Sequence, residues 1–301
     1  MRFALWPHPE DAWSVVRASA LHAEATGWHG VYIADHLLPL DECLPRAAVH
    51  ECWTILAGLA ACTRRVRLGS LVTCAAYRLP AVIANMATTV DQISAGRLVL
   101  GVGSGWQENE FRACGLDFGT AAQRADRLEE ACRILVDLLR RPRTVDGRDY
   151  SAHDAPLTAP AVKTRLPLLI GGAGPTLTLP LVAKYADEWN MWGLPQHCRT
   201  AGQLLAQHCD RLGRDITTIT RSAQAVVAHP SDHSALASCY GNIPFLPVEQ
   251  PQDITNAMGA YADAGVDEFI VPTLTLSDLP ERLDFMDMFR QAVTETGRPS
   301  L

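Results

Sequence analysis

Residues Val66 to Glu110 read VRLGSLVTCAAYRLPAVIANMATTVDQISAGRLVLGVGSGWQENE, and the fold is decided by how they alternate. An apolar run of strand length, Val66 to Val72, comes first. A helical-period segment enters through Pro80 and keeps Val82, Ile83, Met86, Ala87 and Val90 on one side. A second strand, Arg97 to Val102, breaks into the glycines Gly101, Gly103 and Gly105 before another helix opens. Short buried strands alternating with amphipathic helices imply parallel strands joined by crossovers.

The same alternation extends outward in both directions. Towards the amino end it predicts a strand over Phe3–Trp6, a helix over Glu10–Thr26, a strand over Gly30–Ala34 and a helix over Glu51–Cys62. Towards the carboxyl end come a short helix near Gln107–Cys114 and a long one over Ala121–Arg140. A hairpin follows around Asp146-Gly147, a favoured two-residue turn read as lying away from the site. Strands are then predicted at Leu166–Ile170, Glu188–Met191, Ile219–Ala228 and Phe269–Val271. Helices follow them, ending at Leu279–Thr294, with an irregular connection over His229–Gln252. Eight strand–helix units with no shift in composition predict one (β/α)8 TIM barrel domain over residues 1–301. The alternative is a doubly wound open sheet.

In a barrel the site lies beyond the carboxyl ends of the strands. That rule selects Trp6, Asp35-His36, Val72 to Arg78, Gly103 to Trp106, Gly171 to Gly174, Trp192 and Pro272-Thr273. The turn Gly103-Ser104-Gly105 suggests close approach of backbone to a flat or anionic ligand, although its spacing is not the dinucleotide GxGxxG. Gly171-Gly172-Ala173-Gly174 leaves N–H groups exposed, and Thr176 is read as opening a helix whose positive end faces an anion. His36 has the chemistry of a general acid or base near neutral pH. Trp6, Trp106, Trp192 and Tyr77 offer an apolar wall for substrate or ring, with plain packing as the rival reading. Glu108 and Glu110 read as a solvated first helical turn. His50 and Glu51 start a helix near the site without an assigned role. His229 and His233 have i, i+4 spacing, but Pro230 and the lack of a third ligand nearby argue against a metal.

Composition sets the outer limits. The apolar share is 48%, the charged share 20% and the formal net charge −7, values of a globular protein without a nucleic-acid surface. Nine cysteines show no CxxC pair and read as reduced thiols of a cytoplasmic protein. No segment approaches a membrane span, and the apolar run in MRFALWPHPED is too short for a signal peptide.

Several blocks together resemble the bacterial luciferase-like monooxygenase superfamily and, within it, the branch of coenzyme F420-dependent oxidoreductases. They are GWHGVYIADHLLP at 27–39, ECWTILAGLAACTRRVRLGSLVT at 51–73, YRLPAVIANMATTVDQISAGRLVLGVGSGWQENEF at 77–111, RADRLEEACRIL at 124–135 and LPLLIGGAGPTLTLPLVAKYADEWNMWG at 166–193. The resemblance fades over Pro230–Pro251. It implies a non-proline cis peptide at Leu71–Val72 behind a flavin or deazaflavin ring. Contacts to the ring come from Gly103, Ser104, Gly105 and Trp192, and a phosphate sits at Gly171–Gly174. His36 becomes the active-site histidine, with Trp6, Tyr77 and Trp106 lining the substrate pocket. The sugar-phosphate dehydrogenases of the branch carry an acidic residue where this chain has Trp106, which argues against sugar-phosphate oxidation.

The expectation is therefore an F420-dependent hydride transfer to or from a small organic substrate. The alternatives are an FMN-dependent monooxygenase using reduced flavin and oxygen, or a flavin- or deazaflavin-binding protein without turnover. Relatives also imply a homodimer formed through helices near 51–62 and 80–92.

Overall fold

The computed structural model describes residues 1–40, 49–140, 145–152, 162, 165–241, 243–276 and 278–294. Eight parallel strands form its centre: β1 (Arg2–Trp6), β2 (Gly30–Ile33), β3 (Arg67–Ser70), β4 (Leu98–Gly103), β5 (Leu168–Gly171), β6 (Glu188–Trp192), β7 (Thr220–Gln224) and β8 (Glu268–Pro272). Each pairs with the next in sequence, and β8 pairs with β1 with Leu5 opposite Val271. The sheet is thus a closed (β/α)8 barrel, as the alternation predicts. The helices are α1 (Trp13–Ala25), α2 (Cys52–Cys62), α3 (Pro80–Ile93), α4 (Glu108–Ala113), α5 (Ala121–Arg140), α6 (Leu179–Tyr185), α7 (Pro195–Arg211), α8 (His233–Tyr240), α9 (Pro251–Asp263) and α10 (Leu279–Thr294).

Period-two alternation sorts the strand residues into two cores. Leu5, Ile33, Leu100, Ile170 and Val271 face the helices and join the large outer core. Ala4, Trp6, Tyr32, Val99, Leu169 and Ile270 face the barrel axis. Phe289 of α10 is fully buried. It stacks on Trp28 with ring centroids 5.5 Å apart and meets Phe3 edge-on at 5.5 Å, tying the last helix to the first strand. Truncating such a ring costs about 3–5 kcal/mol. The amino-terminal end of the barrel is plugged by charge. Arg67 pairs with Glu188, and Glu268 accepts from His29 Nδ1 at 2.6 Å and from the Tyr32 hydroxyl at 3.2 Å. Mutual pairing is what makes burial of these groups tolerable.

Local signals set the helix ends. Pro80 opens α3, where its missing N–H costs nothing. The same helix closes through Ala95 and Gly96, both with positive φ, and Gly96 N–H returns to Asp91 O at 2.9 Å. Glu51 caps α2, its carboxylate accepting from Trp53 N–H and Thr54 N–H.

Five expectations are corrected. The seventh strand does not run through to Ala228; it is interrupted after Gln224, and Val226–Ala228 pairs in parallel with Phe245–Pro247. The connection after it is not irregular, because it contains the short 3-10 turn Pro230–Asp232 and α8. The hairpin pairs Asp146 with Ser151, so its turn spans Gly147 to Tyr150 rather than two residues. It also climbs α5 towards the site side, where the Tyr150 hydroxyl donates to Ala75 O at 3.0 Å. Finally, Thr176 lies in a turn, and α6 begins only at Leu179. Among the described residues no helix is long and apolar enough to cross a membrane.

Candidate functional site

One cavity of about 570 Å³ opens at the carboxyl ends of the strands. The residues given a cofactor, substrate or proton role line it: Trp6, His36, Leu71, Val72, Tyr77, Gly103, Ser104, Gly105, Trp106, Gly171, Gly172, Ala173, Gly174 and Trp192, whereas Thr73, Ala75, Ala76, Arg78, Pro272 and Thr273, which also follow strands, are not in its lining. The size suits a ligand head group. Asp35, selected with His36 by its place at a strand end, lines it too, and Asn190, Gln224 and Tyr240 join the wall without having been singled out.

The inner floor is shaped by Val72. The Leu71–Val72 peptide is cis, as the family resemblance implies. Val72 then occupies the space that side chains on β4 and β5 would need. A Cβ on Gly103 would stand 2.5 Å from Val72 Cγ2, and one on Gly171 would stand 2.9 Å from Val72 Cγ1. These two glycines therefore make room for a residue of the chain itself. Gly172 is different: its φ of +115° is a conformation that side chains rarely adopt.

The glycine turn after β5 divides its polar groups. Gly172 N–H donates to Asn190 O at 2.9 Å, and Gly172 O accepts from Trp189 Nε1 at 2.7 Å. The N–H groups of Ala173 and Gly174 donate to no described residue. Adjacent bare amides of this kind form a seat for an anionic oxygen. The α6 amino terminus starts at Leu179, so the anion argument rests on the turn alone.

His36 stands on the opposite wall and is fixed from behind. Its Nδ1 lies 3.0 Å from Glu110 Oε1, which also accepts from Leu37 N–H at 2.9 Å and Leu38 N–H at 3.0 Å. The Tyr77 hydroxyl donates to the other oxygen of Glu110. Glu110 is therefore a buried hub and not part of a solvated first turn. Burial alone would push its carboxyl up, but the His36 contact, the Tyr77 hydroxyl and the Leu38 amide outweigh that and hold it below the ordinary carboxylate range. An ionised carboxylate can only accept, so the proton on the His36 ring sits on Nδ1. Nε2 is left without a partner among the described residues. The signal for Glu110 was its phase on α4: with Phe111 it forms the inward side of a short helix.

A second ionic cluster braces this wall. Asp35 accepts a two-pronged contact from Arg78, at 2.7 and 2.9 Å, and the Cys74 N–H at 3.1 Å. Burial pushes the Asp35 carboxyl up overall despite the opposing guanidinium. Arg78 also reaches Glu51 at 2.6 Å, which gives the helix-capping Glu51 a second task. Cys74 lines the cavity with its thiol pushed up to about 12, mainly by burial.

The aromatic groups divide in two. Trp6 and Trp192 pack edge-on at 5.8 Å, and Trp6 is almost wholly buried. Trp106 is 66% exposed at the rim, edge-on to His36 at 5.7 Å. His229 accepts from Ser231 N–H, and the His233 ring tilts against Phe245, so this spaced pair has local structural duties. Among the described residues no group of three or more His, Cys, Asp or Glu is placed to hold a metal.

Comparison with known proteins bears on the family and the fold. A family model described as luciferase-like monooxygenase matches residues 1–266. The chain is 35% identical over 174 residues to the F420-dependent glucose-6-phosphate dehydrogenase of Kineococcus radiotolerans, covering 56% of this chain and 48% of that protein. It is 34% identical over 197 residues to the pyrimidine monooxygenase RutA of Methylobacterium radiotolerans, covering 62% and 50%. The chain thus spans about half the length of these curated relatives. The solved structure of an F420-dependent secondary alcohol dehydrogenase with an F420–acetone adduct matches with a TM-score of 0.84 at 18% identity, covering 97% of this chain and 98% of that one. At that identity the likeness shows the fold.

Proposed function

The chain belongs to the luciferase-like monooxygenase family, and from that premise we propose that it is a coenzyme F420-dependent oxidoreductase moving a hydride to or from a small organic substrate. The observation that carries this reading is the convergence of three features on one cavity. They are the Leu71–Val72 floor, the bare amides of Ala173 and Gly174, and the outward Nε2 of His36. These fit a flat ring with an anionic tail. The bound deazaflavin supplies the carbon that gives or takes hydride.

The rest falls to the chain's own residues. Leu71 and Val72 support one ring face, with Gly103, Ser104, Gly105 and Trp192 bordering it. The amides of Ala173 and Gly174 receive the anionic oxygen. His36 Nε2 takes or returns the proton at the substrate oxygen while Glu110 holds Nδ1–H. Trp6, Tyr77 and Trp106 bound the substrate space. Similarity to F420-dependent glucose-6-phosphate dehydrogenases supports the cofactor.

A second reading, FMN-dependent monooxygenation with reduced flavin and oxygen, is supported by the match to a pyrimidine monooxygenase. A binding protein without turnover is the third. Change of F420 fluorescence under anaerobic conditions with a panel of alcohols and ketones tests the first. Oxygen uptake that depends on FMN and a flavin reductase selects the second, and cofactor binding without either response selects the third.

The same proposal includes a single barrel domain, a cytoplasmic location and a homodimer. The apolar side chains Leu79, Val82 and Ile93, exposed along α3, support the dimer. Light scattering that returns a monomer mass overturns it.

A further inference from the structure

Resting on the oxidoreductase reading, we propose that the site takes an uncharged substrate with an apolar, aromatic body and one acceptor oxygen, and not a phosphorylated sugar. The body is placed by the rim. Trp106 presents a largely exposed indole beside His36, the proton-handling group. Ile243, Pro244 and Leu274 add apolar groups to the cavity lining. A flat apolar molecule laid on the indole removes water from both faces and brings its polar end to the imidazole.

Charge points the same way. The described residues lining the cavity include no lysine or arginine. Its two carboxylates are already engaged, Asp35 by Arg78 and Glu110 by His36, Tyr77 and two backbone amides. A phosphate dianion on the substrate would find no lysine or arginine among the described lining residues and would face the Glu110 carboxylate, and the bare amides of Ala173 and Gly174 are assigned to the cofactor.

The acceptor oxygen is called for by two orphaned donors. Trp6 Nε1 and Gln224 Nε2 are buried atoms of residues in the cavity wall, and neither has a hydrogen-bond partner among the described residues. Gln224 is 1% exposed and Trp6 3%. They sit at the same end of the barrel: Trp6 opposes Pro272, and Gln224 opposes Ile270 two residues earlier on β8. Buried donors without partners are costly, and a small turn of either side chain towards the cavity would let a carbonyl or hydroxyl oxygen satisfy them where an apolar ligand cannot.

The test is calorimetric binding to protein saturated with whichever of F420 or FMN it binds, or to the free protein if it binds neither. The probes are 4-phenyl-2-butanone, 4-phenyl-2-butanol and glucose 6-phosphate. Cofactor affinity is titrated separately in each variant, so failure of the cofactor reading is seen independently of failure of this one. The expected result is that a neutral aryl probe binds at least about tenfold more tightly than glucose 6-phosphate. Trp106→Ala weakens the aryl probes about fivefold, and Gln224→Leu weakens them about tenfold. Equal or tighter binding of glucose 6-phosphate overturns the proposal. So does failure of both aryl probes to bind, or aryl binding that neither substitution changes.

Discussion

Replacing Gly103 by alanine sets a methyl group against Val72, and the geometry says how the protein will respond. The added Cβ would stand 2.5 Å from Val72 Cγ2, with Val72 Cβ the next nearest atom at 3.7 Å. Carbon atoms rest about 3.5–4.0 Å apart, so the overlap exceeds 1 Å. Val72 is β-branched and has few rotamers into which it can retreat. The expected cost is that of overpacking, about 1–3 kcal/mol. Gly103 is not among the glycines with positive φ, so the backbone itself accepts alanine.

Val72→Ala removes the offending methyl and leaves only the ordinary 3.7 Å contact. In the Val72→Ala background, Gly103→Ala will therefore cost little, a coupling of about 1–3 kcal/mol of opposite sign. Gly101→Ala is the control. Its Cβ would lie 2.0 Å from Ser70 O, a backbone atom that Val72→Ala does not move. Urea unfolding of the four combinations, with Gly101→Ala in both backgrounds, measures these differences. An undamaged Gly103→Ala protein, or one whose deficit survives Val72→Ala, would refute the assignment of this glycine to Val72.

Three further outcomes follow from the two ionic clusters and the thiols. Glu110→Gln will lower turnover by about 10²–10³-fold while leaving cofactor affinity within a few fold, as steady-state rates and an F420 titration will show, because it frees the His36 ring. The folded carboxyl of Glu110 lies below its ordinary 4.5, so its stabilisation is present above that pH and is lost as pH falls through the folded value. Unfolding midpoints across the acid range will fall less steeply in Glu110→Gln than in the parent. Arg78→Ala will cost about 3–5 kcal/mol near neutrality by stranding Asp35 in the interior. Because burial already pushes Asp35 up, that deficit shrinks as pH falls, and Asp35→Asn recovers part of it in urea titrations. Among the described cysteines Cys114 is the exposed one. A chromogenic thiol reagent at mildly alkaline pH will label it first, while Cys52, Cys74, Cys132, Cys198 and Cys209 react only after denaturant is added.

The barrel was legible because buried strands and amphipathic helices leave different periods in the sequence. Phe3–Trp6, Gly30–Ala34 and Arg97–Val102 each sit within about a residue of their observed strands. The rule that barrel sites follow strand ends then gathered the site residues apart from Leu71, which the family resemblance added, because chain order and position around the barrel coincide. What stayed hidden depends on contacts distant in sequence. Glu110 looked solvated because its partners His36 and Tyr77 lie 74 and 33 residues away. Gly103 and Gly171 looked like ligand-facing glycines because nothing in the sequence says that Val72 fills the space between them. The His229–Gln252 connection looked irregular because its strand, Phe245–Pro247, has as its partner the interrupted end of the β7 run. Cys43 lies in a segment outside the described residues.

The central claim is that the cavity between Val72, the Ala173–Gly174 amides and His36 holds a deazaflavin. A fluorescence titration of the purified protein with F420 and FMN in parallel, repeated on Gly174→Pro to remove one bare amide, tests it most directly. The account predicts micromolar or tighter binding of F420, weaker binding of FMN, and about a tenfold loss of F420 affinity in the variant. Binding of neither cofactor, or F420 binding that is indifferent to Gly174→Pro, would contradict it.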